Sequence, residues 1–222
     1  MPVGERWLTF DCFGTLVSWQ RGFPQILRHV AGERSDELAA AYHRFENRVE
    51  AEEYRTYRVV LRETLQLAAA SIALPLDERQ LNVLADRWDE QPVWEDVAPA
   101  LAEVKNAGWK VAALTNCDVD LFERTQKTLP FTFDAVITAQ DVRSYKPAHA
   151  HFLKFAERGV GADRWIHVAC SYFHDIAPAR DLGIRSIWID RDRTGEDPSA
   201  AGHVQPTLAG FSAVAERMAG TL

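Results

Sequence analysis

Apolar residues along the chain follow two rhythms. Short apolar runs at residues 7–10, 111–114, 135–138, 166–169 and 186–189 read as buried strands. Residues 98–107, 119–129 and 148–158 read as helices between the later runs, the first stopped by Gly108. Strands alternating with helices predict βαβ units and an α/β, Rossmann-like core built on a parallel sheet. Residues 17–90 break this rhythm. They carry no convincing strand, and Glu37, Leu38, Tyr42, Phe45 and Val49 recur at helical spacing, as do Tyr57, Val60, Leu61, Leu65 and Leu67. Pro75 separates a last helical piece, residues 78–88. The pattern predicts a helical insertion, 17–90, after the first strand, with the core formed by 1–16 and 91–222. Residues 192–206 read as a mobile polar loop.

Composition narrows the function classes. A hydrophobic fraction of 47% over 222 residues is ample for a core. A net charge of −7 argues against a nucleic-acid binder. No apolar run approaches the ~20 residues of a membrane span, and no signal-type segment opens the chain, so a soluble cytoplasmic protein is expected. The three cysteines, Cys12, Cys117 and Cys170, make no CxxC pair, which weakens metal and disulfide readings.

The chemistry starts at Asp11, which ends the first apolar run ahead of Gly14 and Thr15. A carboxylate at the C-terminal end of a buried strand stands where open α/β sheets bind ligands. There it can attack a substrate and form a covalent ester. Its simpler role is to cap the following segment.

Four segments in order carry a resemblance: Asp11-Cys12-Phe13-Gly14-Thr15, Leu114-Thr115-Asn116, Ser144-Tyr145-Lys146-Pro147 and Cys170-Ser171-Tyr172-Phe173-His174-Asp175. They resemble the motifs of the haloacid dehalogenase-like superfamily, and in particular its type II 2-haloacid dehalogenases. The resemblance implies that Asp11 is the nucleophile, that Lys146 reaches it, and that Asp175 orients Lys146 or the hydrolytic water. It identifies the helical insertion with a cap over the active site. Thr15, Thr115 and Asn116 would donate hydrogen bonds to Asp11 or to the substrate carboxylate. Phe13, Ser171 and Tyr172 would line the substrate position. An Arg in the first part of the cap would clamp the carboxylate, and Arg44 is the nearest match, with His43 as its lesser neighbour. Tyr57 would line the pocket or the core.

Two departures from the superfamily's phosphatases shape the expected chemistry. Phe13 stands where they carry an acid that protonates the leaving oxygen, and a phenyl ring transfers no proton. Ser171 stands where the first of two Mg²⁺-holding acids is usual. Both imply chemistry without a metal or other cofactor on a small carboxylic acid, with halide as the leaving group. Other departures, Cys170, Tyr172, Phe152 and His174, separate the chain from typical 2-haloacid enzymes. They resemble a subgroup that includes a ring-opening hydrolase of azetidine-2-carboxylate. That activity and a Mg²⁺-dependent phosphatase are the alternatives, and relatives are often homodimers.

Overall fold

The computed structural model describes residues 4–220. In chain order the sheet strands are β1 (Trp7–Phe10), β2 (Lys110–Thr115), β3 (Ala135–Thr138), β4 (Trp165–Ala169), β5 (Arg185–Ile189) and β6 (His203–Gln205). All pair in parallel, in the order β3-β2-β1-β4-β5-β6. Helices α1 (Trp19–Ala31), α2 (Ser35–Glu50), α3 (Tyr57–Ser71) and the single turn α4 (Val83–Asp86) lie between β1 and β2. The later helices are α5 (Val97–Asn106), α6 (Val119–Thr128), α7 (Ala139–Val142), α8 (Ala150–Ala156), α9 (Ala177–Asp181) and α10 (Phe211–Ala219).

The central strands β1 and β4 are short but buried on both faces, as a sheet covered by helices requires. Alternation along β1 sends Leu8 and Phe10 into a cluster with α5 and α10, while Trp7 meets Phe155 of α8 and Ala179 of α9. The chain runs from β1 outward to β2 and β3, then returns to lay β4 on the other side of β1. A crevice therefore opens outside the C-terminal ends of β1 and β4, the switch point of such a sheet. Asp11 follows β1 and Cys170 follows β4, so both stand at its floor.

The insertion is helical because its apolar residues share helix faces. Phe23, Ile26 and Leu27 are buried on α1; Leu38, Ala41, Tyr42 and Val49 on α2; Val60, Leu61, Thr64, Leu65 and Ala68 on α3. Leu67, expected on the buried stripe of α3, falls off that face and is exposed. The expected helix over 78–88 contains only α4, between the 3₁₀ turns Gln80–Asn82 and Trp88–Glu90. The expected polar loop 192–206 contains β6, which pairs Ile187, Trp188 and Ile189 with His203, Val204 and Gln205. Three edge residues, two of them polar, are too few to show an alternation. Among the described residues, no helix is long and apolar enough to cross a membrane.

Two contacts fix the insertion over the crevice. The connecting segments lie against each other: Trp94 N–H donates to Leu16 O (2.9 Å), Ser18 N–H to Pro92 O (2.8 Å), and the Trp94 indole N–H to Gly14 O (3.0 Å). On the other side, buried Asp118, just past β2, accepts the N–H groups of Tyr57 (2.8 Å) and Arg58 (3.0 Å). These open α3 and have no partner inside the helix, so a core carboxylate caps an insertion helix. Asp118→Ala should therefore lower stability by about 1–3 kcal/mol in urea unfolding. A loss below about 0.5 kcal/mol would show that Asp118 does not anchor α3.

Candidate active site

Asp11 is held from both sides. Its N–H donates to Val168 O (3.1 Å), continuing the β1–β4 ladder one residue past the strand. Its Oδ2 accepts the Thr15 hydroxyl (2.7 Å), and Thr15 Oγ1 in turn accepts the N–H of Cys170 (2.9 Å). The tight turn between them depends on Gly14 at φ +98°, where a Cβ would stand 2.6 Å from Cys170 Sγ. Thr15 is buried behind Asp11 and does not face the cavity.

Lys146 closes the site. Its Nζ donates to Asp11 Oδ1 (2.9 Å) and to Asp175 Oδ1 (2.6 Å), and its side chain is 1% exposed. Asn116 sets the backbone that carries it: Asn116 Oδ1 accepts Lys146 N–H (2.8 Å), and Asn116 Nδ2 donates to Lys146 O (3.0 Å). Thr115, expected to donate toward Asp11 or substrate, lies outside the cavity with its hydroxyl against Cys117 Sγ (3.5 Å). Its carbonyl faces Nε2 of His151 (3.2 Å), which burial and Lys146 push down to about 3 and so keep neutral.

Asp175 is fixed by a chain of buried groups. His167 Nε2 lies 3.0 Å from Asp175 Oδ1, and His167 Nδ1 lies 2.9 Å from Thr9 Oγ1, which accepts the Trp165 indole N–H (2.8 Å). Because a carboxylate only accepts, Nε2 carries a proton and donates it to Asp175. Burial works against ionising Asp175, but Lys146 and His167 overcome it and hold the carboxyl well below the usual range. Burial likewise opposes the Lys146 charge, and the two carboxylates hold its ammonium above its ordinary value. Asp11 is different: burial pushes its carboxyl up despite Lys146, with Asp175 adding to the rise. Asp175 lines the cavity, and its buried Oδ2 makes no hydrogen bond within the protein.

Above these groups lies a cavity of about 400 Å³ between sheet and insertion. Phe13 borders it and packs on Trp88, ring centroids 4.6 Å apart; Tyr57, Ser171 and Tyr172 also border it. Arg44 does not. It is exposed on α2 and reaches toward Ser71 Oγ, because it lies a quarter-turn from the helix face that carries His43, Glu46, Asn47 and Glu50. His43 fills the position instead, against Trp19 (4.3 Å) and Phe23 (5.9 Å). That polar i, i+3, i+4, i+7 stripe is legible in the sequence and marks the cavity-facing surface of α2. His167, inside an apolar strand, gave no local signal. Asp11, Glu46, Glu50, Asp175, Asp192 and Glu196 make the lining acidic, against Lys146, His43 and His174. Burial pushes the thiols of Cys12, Cys117 and Cys170 up, which removes them as nucleophiles at neutral pH.

Known proteins share this arrangement of sheet and insertion. Residues 6–183 match the haloacid dehalogenase-like hydrolase family. An (S)-2-haloacid dehalogenase of Pseudomonas fluorescens is 24% identical over 91% of this chain and 93% of its own. A phosphatase of Mycobacterium tuberculosis is 26% identical over 86% of this chain and 89% of its own. The structure of the L-2-haloacid dehalogenase from Xanthobacter autotrophicus with chloropropionic acid covalently bound superposes with a TM-score of 0.83, at 21% identity, covering 99% of this chain and all of that one. With the family matched over most of its length, this chain belongs to the haloacid dehalogenase-like hydrolases.

Proposed function

We propose that the protein hydrolyses a small 2-substituted carboxylic acid through an aspartyl ester on Asp11, with halide as the simplest leaving group. The observation that carries this reading is the Asp11–Lys146–Asp175 contact at the switch point, beneath a cavity of small-molecule size. Asp11 Oδ attacks the carbon beside the carboxylate and the leaving group departs with its bonding pair. Lys146 supplies the positive charge that keeps Asp11 ionised despite burial. Water then attacks the ester carbonyl. The unpaired Asp175 Oδ2 is the acceptor that orients it. Two easier steps replace one displacement in bulk water.

Sequence relatives named (S)-2-haloacid dehalogenases, one of them matched over 91% of this chain, support the substrate class. The Mg²⁺ that the resemblance attaches to phosphatases meets an unsuitable donor set. Lys146 takes one oxygen of Asp11 and one of Asp175, Thr15 takes the other Asp11 oxygen, and Ser171 stands in place of a further acid. Mg²⁺ needs near-octahedral oxygen ligands. Among the described residues, no group of three or more His, Cys, Asp or Glu is disposed to hold a metal. No step here passes through one. Phe13, with no proton to give, disfavours phosphomonoester cleavage for an independent reason.

With excess enzyme in ¹⁸O-labelled water, one turnover of 2-chloropropanoate should place the label in Asp11. Label found only in the lactate would mean direct attack by water. Asp11→Asn should abolish turnover while leaving the circular dichroism spectrum intact.

Carboxylate recognition is the second test. An imidazole N–H of His43 can donate to the substrate carboxylate, whereas Arg44 faces away. His43→Ala should raise KM for 2-chloropropanoate about tenfold, the equivalent of ~1.4 kcal/mol. Arg44→Ala should leave KM within about twofold, a change of ~0.4 kcal/mol. An equal or larger effect at Arg44 would return the carboxylate to that residue.

A further inference from the structure

The cavity holds a second line of polar groups that the displacement at Asp11 does not use. Ser171 follows β4 and caps the turn formed by Tyr172–Ile176. Its Oγ lies 3.0 Å from His174 Nδ1 and accepts the His174 backbone N–H (3.1 Å). On the far side of the imidazole, Nε2 stands 3.6 Å from Glu50 Oε2, at the end of α2. The Glu50 side chain is 8% exposed, so its charge acts on the ring with little screening. Glu50, His174 and Ser171 all border the same cavity as Asp11.

We propose that Glu50, His174 and Ser171 form a proton relay that lets the site expel oxygen or nitrogen leaving groups, which halide displacement does not require. This rests on the reading that Asp11 attacks the substrate carbon. Hydrogen-bond capacity sets the direction. In the imidazolium form, Nε2–H faces Glu50 and Nδ1–H donates to Ser171 Oγ. The backbone N–H of His174 takes the other Ser171 lone pair. A hydroxyl has two acceptor sites and one proton, so Ser171 can then only donate. That proton is the one this line of groups offers to the cavity, and Phe13 stands where the superfamily's phosphatases carry their acid.

The groups facing His174 favour its charged form. Burial works against the imidazolium and Lys146 opposes it, but Glu50 on α2 and Asp175 on its own turn hold the ring above its ordinary value. Burial raises Glu50 itself, against the pull of His174, and Glu46 one turn earlier adds to the rise.

With a strained cyclic ether the steps balance. Asp11 Oδ forms a bond to the carbon beside the carboxylate. The carbon–oxygen bond breaks with its pair on oxygen. Ser171 gives that oxygen its proton and takes the Nδ1 proton of His174. Water then adds its hydroxyl to the Asp11 acyl carbon and a proton to the departing alkoxide. The proton of the new Asp11 carboxyl returns to His174. His174 ends as it began, and one water is consumed.

The probes are 2-chloropropanoate and 2,3-epoxypropanoate, followed by chloride release and by glycerate formation. The native enzyme should turn over both. Epoxide turnover should fall as pH rises through the His174 ionisation, a limb that chloride release lacks. Ser171→Ala and His174→Gln should lower the epoxide-to-chloride rate ratio by roughly 100-fold, the usual worth of a general acid. Glu50→Gln should move the alkaline limb to lower pH, because it removes the charge that favours the imidazolium. It keeps the side chain's shape, and circular dichroism checks each fold. Chloride release without glycerate, or ratios within about threefold of native in Ser171→Ala and His174→Gln, would overturn the relay alone. Turnover of neither probe would remove the displacement reading and the relay with it.

Discussion

One ammonium group holds the site together. Lys146 Nζ sits within hydrogen-bond distance of two buried carboxylates that arrive on separate loops, Asp11 after β1 and Asp175 after β4. Without it, two negative charges would share a small dry volume, which proteins avoid by neutralising one of them. Removing one partner from such a cluster costs on the order of 3–5 kcal/mol. Everything around Lys146 serves its placement. Asn116 pins its backbone, His167 steadies Asp175, and Thr15 ties Asp11 to the start of the fourth-motif loop. The lysine thus joins the C-terminal ends of the central strands into one rigid edge, and the cavity opens directly above it.

The charge is divided unevenly. Asp175 is held low by two donors, whereas burial pushes Asp11 up. That asymmetry suits the roles assigned to them. An ionised Asp175 balances Lys146 and, in the proposed reaction, would orient the water. Asp11, less comfortable as an anion, would gain more in the proposed reaction by sharing its charge with a substrate carbon. The remaining carboxylates of the cavity sit on α2 and on the loop after β5, away from this pair in sequence. Glu46 and Glu50 face His43 and His174, Asp192 accepts from Gln20, and the lining contains no arginine among the described residues. The cationic and imidazole groups of the lining are thus Lys146, His43 and His174, with no guanidinium fork.

Much of this was legible in the sequence because the signals are local. Strands β1 to β5 are continuous apolar runs, and the functional loops begin where those runs stop, so Asp11, Lys146 and Asp175 could be named from position and motif. Strand β6 was not legible, since a three-residue polar edge strand has neither length nor alternation. Arg44 matches the Arg that the resemblance places early in the insertion, but the helix phase of α2 turns it to solvent and brings His43 in. Thr115 fits its motif, but its hydroxyl turns to Cys117. His167 was invisible because its role comes from parallel pairing with Thr9 across the sheet, a long-range contact that no local pattern encodes.

The central claim, that Lys146 is what keeps a buried Asp11 ionised, can be tested by titration. Carboxyl-carbon NMR of Asp11 should be followed with pH in the native protein and in Lys146→Met, within the range where both stay folded. In the native protein Asp11 should titrate above the usual carboxylate value, because burial outweighs its partner. In the variant its midpoint should move higher still, since the stabilising charge has gone while Asp175 remains. An Asp11 that titrates at the same pH in both proteins, or lower in the variant, would contradict the account.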